Sequence, residues 1–162
     1  MKKVWLGMMA AGLLVLAGCL SDPVAEEMVT YVNKTMKPLS EQEEEVKELY
    51  EGVTGNNYTD DQTLYTALTE EIIPKYNEFL KDVESIELET EEMQELHEKY
   101  IEAVQIQQNG MLSLVTALEE QSFEKVNEAN GKLNEARKMM RDYQKDIKKL
   151  ADEHEVTFEK EK

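Results

Sequence analysis

Cys19 is the only thiol among 162 residues, so it can form neither an internal disulfide nor a cysteine zinc site. The other groups with obvious chemistry are His97, His154 and many carboxylates. A di-iron or di-manganese bundle needs Glu-x-x-His pairs on two of its helices. Gln94 and Ala151 stand where those glutamates would be, so neither histidine qualifies. His97 borders an apolar stripe and reads as a core histidine, whereas His154, in a Glu-rich terminal turn, reads as solvated. Ser113 has no organised base near it in sequence. Asn56 to Asp61 gathers two Asn and two Asp without the ligand spacing of an EF-hand, and loop chemistry accounts for it. These residues predict no enzyme, no metal site and no cofactor.

The thiol sits in a telling place. Met1-Lys2-Lys3 is a short positive stretch, and the apolar run Val4 to Ala17 is too short to cross roughly 30 Å of hydrocarbon as a permanent helix. It reads as an export signal. The run closes on Leu16-Ala17-Gly18-Cys19, which resembles the lipobox of bacterial lipoproteins: an aliphatic residue, two small residues and a cysteine. That resemblance implies cleavage between Gly18 and Cys19, residues 1–18 being a signal peptide, and transfer of a diacylglyceryl group to the Cys19 sulfur as a thioether. Two or three acyl chains hold a protein stably where one is marginal. The expected partner of Cys19 is therefore the lipid bilayer, with the domain on the extracytoplasmic face of the cell membrane. No later apolar stretch approaches spanning length.

Acidic side chains number 35 against 18 basic ones, a net charge of −17, and this argues against nucleic acid as a partner. At 41% hydrophobic the chain is too apolar for a disordered acidic tail, and its length suits one domain. Asp22-Pro23 is a strong helix start. Residues 19–21 form the lipidated terminus and tether, which places the domain within roughly 10 Å of the bilayer. From Val24 onward apolar residues recur at helical spacing: Val24, Met28, Leu39 and Val46, then Leu64, Leu68, Ile72 and Phe79. A third stripe carries Met93, Leu96, Tyr100 and Val104, and a fourth Phe123, Val126, Leu133 and Met140. Ser40 with Glu43, and Thr59 with Gln62, make capping boxes, and Pro38 and Pro74 should kink their helices. The predicted fold is all-α: an antiparallel up-and-down four-helix bundle with kinked helices over 22–155, roughly 40 Å long. Residues 156–162 read as a frayed tail.

Folding the chain on its loops puts Pro38 opposite Pro74 and Gly110 opposite Gly131. The last helix carries Lys125, Lys132, Arg137, Lys138, Arg141, Lys145, Lys148 and Lys149, expected to pair with Glu41, Glu43, Glu44, Glu45 and Glu48 on the first. The remaining acidity is expected to hold the domain off an anionic membrane. The mature part is similar to small helical lipoproteins of Gram-positive bacteria described as cell-wall-binding, a likeness of composition that transfers no binding residues. The expected role is non-enzymatic, in interaction with an envelope protein or a cell-wall polymer, and Asn57 and Tyr58 at the distal loop are the expected contact. The alternative is a small-ligand or metal-binding bundle serving a membrane complex. It would need polar residues at core positions near the prolines, where Leu39, Ile72 and Ile73 stand instead.

Overall fold

The computed structural model describes residues 22 to 158 and the backbone pairing of Val15–Leu16; Ala17, Gly18 and Cys19 lie outside the described residues. The chain is all-α, with four long helical rods. Asp22 opens the first as its sequence requires, its carboxylate accepting from the Val24 and Ala25 N–H groups at 3.0 and 3.3 Å, with Pro23 in the first turn. The rod runs through α1 (Pro23–Thr30), a π turn (Tyr31–Thr35) and α2 (Met36–Val53) without a break.

The expected restart at Ser40 does not occur. Its hydroxyl donates to the Lys37 carbonyl at 2.7 Å inside a continuous helix. A proline within a helix lacks its N–H and crowds the carbonyl four residues back, here Lys34. The π turn ends just before Pro38 and widens the hydrogen-bond ladder where that crowding falls. The second rod repeats the arrangement: α3 (Asp61–Ala67), a π turn (Leu68–Ile72) and α4 (Ile73–Glu84), with Pro74 directly after the wide turn. Its cap is Asp60 rather than Thr59, the Asp60 carboxylate accepting from the Thr63 N–H and hydroxyl at 2.9 Å each. The third and fourth rods are unbroken, α5 (Glu91–Glu119) and α6 (Phe123–Glu153). Ser122 caps α6 as read, accepting from the Lys125 N–H at 3.3 Å.

A two-residue antiparallel pairing joins β1 (Val15–Leu16) to β2 (Thr157–Phe158). The end of the domain is not frayed from 156 as expected. Val156 is buried, and its N–H bonds the Ala151 carbonyl at 2.8 Å after a reversal at Glu155, whose φ is 54°. Phe123, placed on the core stripe by spacing, is the first residue of α6 and is 80% exposed.

Crossing contacts fix how the rods lie. Between the first two, Lys75 pairs with Glu45 at 2.6 Å and Gln42 donates to Asp82 at 2.9 Å. Pro38 thus stands nearer the far end of α4 than Pro74, and the two prolines are not level. Lys99 with Asp146 and Ser113 with Lys132 join α5 and α6, residue numbers rising along one as they fall along the other. The cations of α6 do not reach the acidic run of α2. Among the described residues their ion pairs go to Glu120, Asp142 and Glu153, by way of Lys125, Lys145 and Lys149, while Glu44 and Glu45 take Lys47 and Lys75. Part of the reason is rotational: α6 buries Ala129, Leu133, Ala136 and Met140, and Lys138, Arg141, Lys145, Lys148 and Lys149 lie on the side away from them.

Gly110 marks a close approach of α5 to α6. A Cβ there would lie 2.7 and 2.8 Å from Cδ2 and Cγ of Leu133 and 3.2 Å from its backbone nitrogen. Gly131, expected to face it, has open space on its Cβ side. Replacing Gly110 with Ala should therefore destabilise by about 1–3 kcal/mol through overpacking. Gly131→Ala should instead stabilise by up to about 1 kcal/mol through helix propensity alone. Urea midpoints of the two variants, moving in opposite directions from the parent, check this; movement in the same direction refutes it.

Candidate functional site

Four side chains the sequence spreads over three rods meet in the interior: Tyr31, His97, Tyr100 and Tyr143, all buried. Tyr31 reaches inward from the π turn of the first rod, at the stripe position three residues after Met28. Val83, in the last turn of α4, offers a carbonyl 3.0 Å from His97 Nε2. A carbonyl can only accept, so Nε2 carries the proton and Nδ1 of the neutral ring is an acceptor. Tyr31 lies 3.0 Å from that Nδ1 and must donate to it, which leaves the Tyr31 oxygen to accept from Tyr143 at 3.1 Å. The result is a directed relay, Tyr143 to Tyr31 to His97 to the Val83 carbonyl. Burial lowers the His97 pKa, against the smaller opposite effect of the Val83 bond, and raises that of Tyr31, so both stay neutral at pH 7. His97 is the core histidine that its sequence position implied.

Glu43 joins this cluster from α2, its Oε2 accepting from the Tyr100 hydroxyl at 3.2 Å. Tyr100 stacks near His97 and contacts the Tyr143 ring, with centroids 6.2 and 5.0 Å apart. Tyr76 closes the adjacent layer through a bond from its hydroxyl to the Val104 carbonyl at 3.1 Å. Glu43 is half-buried among these rings, and burial, with a small addition from Glu44, pushes its carboxyl up to about 7. Sequence reasoning gave Glu43 to a capping box with Ser40 and to ion pairs with the cations of α6. The available signal was its spacing, four residues after Leu39 and three before Val46, both buried. The core therefore does hold polar groups, where Leu39, Ile72 and Ile73 had suggested an apolar interior. Among the described residues no three His, Cys, Asp or Glu side chains converge as a metal site would require.

His154 is not simply solvated. Its Nδ1 pairs with Asp22 at 2.8 Å, and that hydrogen bond lowers the Asp22 pKa. The pair ties the end of α6 to the residue that opens the domain. At the same end Glu27 accepts from the Thr90 N–H at 2.9 Å and from the Glu89 N–H, satisfying the start of α5 where the Thr90 side chain makes no cap.

The opposite end holds the sequence-predicted contact residues. Asn57 is tied down, its amide donating to the Glu51 carbonyl at 2.9 Å, while Tyr58 bonds Asp61 at 2.7 Å and keeps a ring 46% exposed. Tyr65 donates to Glu119 at 2.9 Å, so the loop before α3 and the turn after α5 are neighbours. The other exposed large apolar side chains among the described residues are Phe123, which starts α6, and Leu112, two turns before the end of α5. Spacing hid Phe123 by assigning it to the core.

A folded-state pKa above the unfolded value means stability that is full below the unfolded pKa and is lost as pH rises through the folded one. For Glu43 the window runs from about 4.5 to about 7. Ionising it should cost of order 1–3 kcal/mol. Glu43→Gln should accordingly unfold at higher urea than the parent at pH 8 and show little advantage at pH 4.5. Parallel pH profiles for the two proteins would remove the buried carboxyl as the cause.

No curated protein and no solved structure matches this chain. A family model described as EMYY-motif containing lipoprotein matches residues 1–162, although the contiguous string Glu-Met-Tyr-Tyr does not occur in the sequence. No helix among the described residues is long and apolar enough to cross a membrane. Matched over its whole length, the chain belongs to the family of EMYY-motif containing lipoproteins.

Proposed function

We propose that this lipoprotein is exported, cleaved after Gly18, acylated on Cys19 and held on the extracytoplasmic face of the cell membrane, where it acts by binding a partner rather than by catalysis. The observation that carries the reading is the Leu16-Ala17-Gly18-Cys19 sequence, within a whole-length match to a lipoprotein family and three residues ahead of the Asp22 cap. The rods form an up-and-down antiparallel bundle in this reading. Support comes from contacts at both ends, Asp22 with His154 and Thr90 with Glu27 at one, Tyr65 with Glu119 at the other. The Asp22 end is then the anchored one, with Tyr58 and Phe123 roughly 40 Å along the bundle from it and Leu112 roughly 30 Å.

The interior supports a binding role, because the polar groups of its central cluster satisfy one another. Tyr143, Tyr31 and His97 are consumed in a relay that ends on a backbone carbonyl, and Glu43 is engaged by Tyr100. The exposed tip is apolar within an acidic collar of Asp60, Asp61, Glu119, Glu120 and Glu124. That combination suits an envelope protein offering an apolar pocket with a basic rim, and suits an anionic wall polymer poorly.

Cys19→Ser should abolish incorporation of labelled fatty acid and release the protein from membranes; retention of the serine variant would refute lipid anchoring. For the partner, a photoreactive amino acid in place of Tyr58 or Phe123 should capture an envelope protein in living cells. Recovery of lipid and copies of the chain alone would count against the tip as the contact.

A further inference from the structure

The cations of α6 are not scattered. Taking about 100° per residue, Lys138, Arg141, Lys145, Lys148 and Lys149 fall within an arc of about 100° on the side of the helix away from the core. All five are exposed. The acidic residues Asp142, Asp146 and Glu153 lie to one side of that arc, and Asp152 is the one carboxylate inside it. Lys138, Arg141 and Lys148 make no ion pair among the described residues, and the pairs of Lys145 with Asp142 and Lys149 with Glu153 are solvent-exposed and exchangeable. In a chain of net charge −17 this is a segregated basic face.

Its position gives it a partner. His154 holds Asp22 at 2.8 Å, so the end of α6 lies at the start of the domain, about 10 Å of extended chain from Cys19. Lys148 is about 9 Å along the helix from His154 and Lys138 about 24 Å. We propose that this face rests on the anionic phospholipid headgroups of the membrane that holds Cys19, so that the domain leans on the bilayer along α6 instead of standing off it. The inference depends on the anchoring reading above.

The net negative charge does not prevent this. Charges separated by more than a Debye length, about 10 Å at 0.1 M salt, are largely screened, and a four-helix bundle is about 20 Å thick. Carboxylates on the far side of the bundle are thus invisible to the surface that the cations touch. Tethering at the same end keeps the face within reach of the headgroups, so weak attraction per cation suffices.

The test uses the acylated chain in vesicles of phosphatidylcholine, with or without phosphatidylglycerol, and reads the acetylation rate of each lysine by mass spectrometry. Lys138, Lys145, Lys148 and Lys149 should react about three- to tenfold more slowly on the anionic vesicles, and the difference should vanish in high salt. Lys75 and Lys81 on α4 should not change. The double variant Lys138→Glu, Lys145→Glu should lose protection at Lys148 and Lys149 with an unchanged circular dichroism spectrum. Equal rates on both vesicles, for a chain that floats with both, overturn the inference alone. Protection on neutral vesicles that grows with protein density assigns the face to a second copy and also overturns it. A chain that carries no acyl group and does not float fails the anchoring reading, and the inference with it.

Discussion

The relay from Tyr143 through Tyr31 and His97 to the Val83 carbonyl touches every rod: α6, the π turn of the first, α5 and the end of α4. Each member fixes the next. The carbonyl sets the histidine tautomer, the tautomer makes Tyr31 a donor, and Tyr31 then has only an acceptor left for Tyr143. Apolar packing is non-directional and tolerates small slides and rotations of helices, whereas this chain of bonds is satisfied in one arrangement. Moving any rod by a turn would leave a buried hydroxyl or ring nitrogen unpaired, at a cost of about 1–3 kcal/mol for each. The relay therefore selects one register among several that the apolar stripes alone would accept.

That selection depends on the two π turns. A helix that must contain Pro38 has to lose the crowding on Lys34, and the wide turn Tyr31–Thr35 does so by adding a residue to the ladder. The same insertion shifts the phase of everything downstream. Tyr31 falls on the buried side beside Met28, and Leu39, Glu43 and Val46 return to it after the turn. In the second rod the turn Leu68–Ile72 buries both of its end residues completely and precedes Tyr76 and Phe79, which meet edge to face at 5.4 Å. Each proline thus follows a π turn that has already shifted the helix phase.

What could be read from the residues followed from strong, short-range rules. The Asp22-Pro23 start and the Ser122 cap are decided within four residues, and helical spacing recovered four rods and most of their buried side chains. The misreadings share a cause. Ser40, Glu43 and the α6 cations were assigned without the true helix phase: Ser40 lies inside an unbroken helix, the Tyr100 hydroxyl that Glu43 accepts is 57 positions away, and Lys145 pairs within its own helix. A π turn has no composition signature, so the phase that carries Tyr31 and Glu43 inward was invisible. Phe123 failed for a different reason, since periodicity cannot tell that the first residue of a helix stays exposed.

The two ends of the molecule are chemically unlike, and the interior explains why they can be. Because the relay and the Glu43–Tyr100 bond hold the register from the middle, neither end must contribute much to specifying the fold. The Asp22 end is closed by charged and polar contacts, Asp22 with His154 and Glu27 with Thr90. The far end keeps Tyr58, Leu112 and Phe123 in solvent, an arrangement that adds nothing to stability and that a bundle held together elsewhere can tolerate. An apolar tip on an acidic domain is stable in water only while its few rings stay dispersed among carboxylates. Under the proposed binding role the same carboxylates would select a basic partner surface, since burying them against anything else would leave them unpaired.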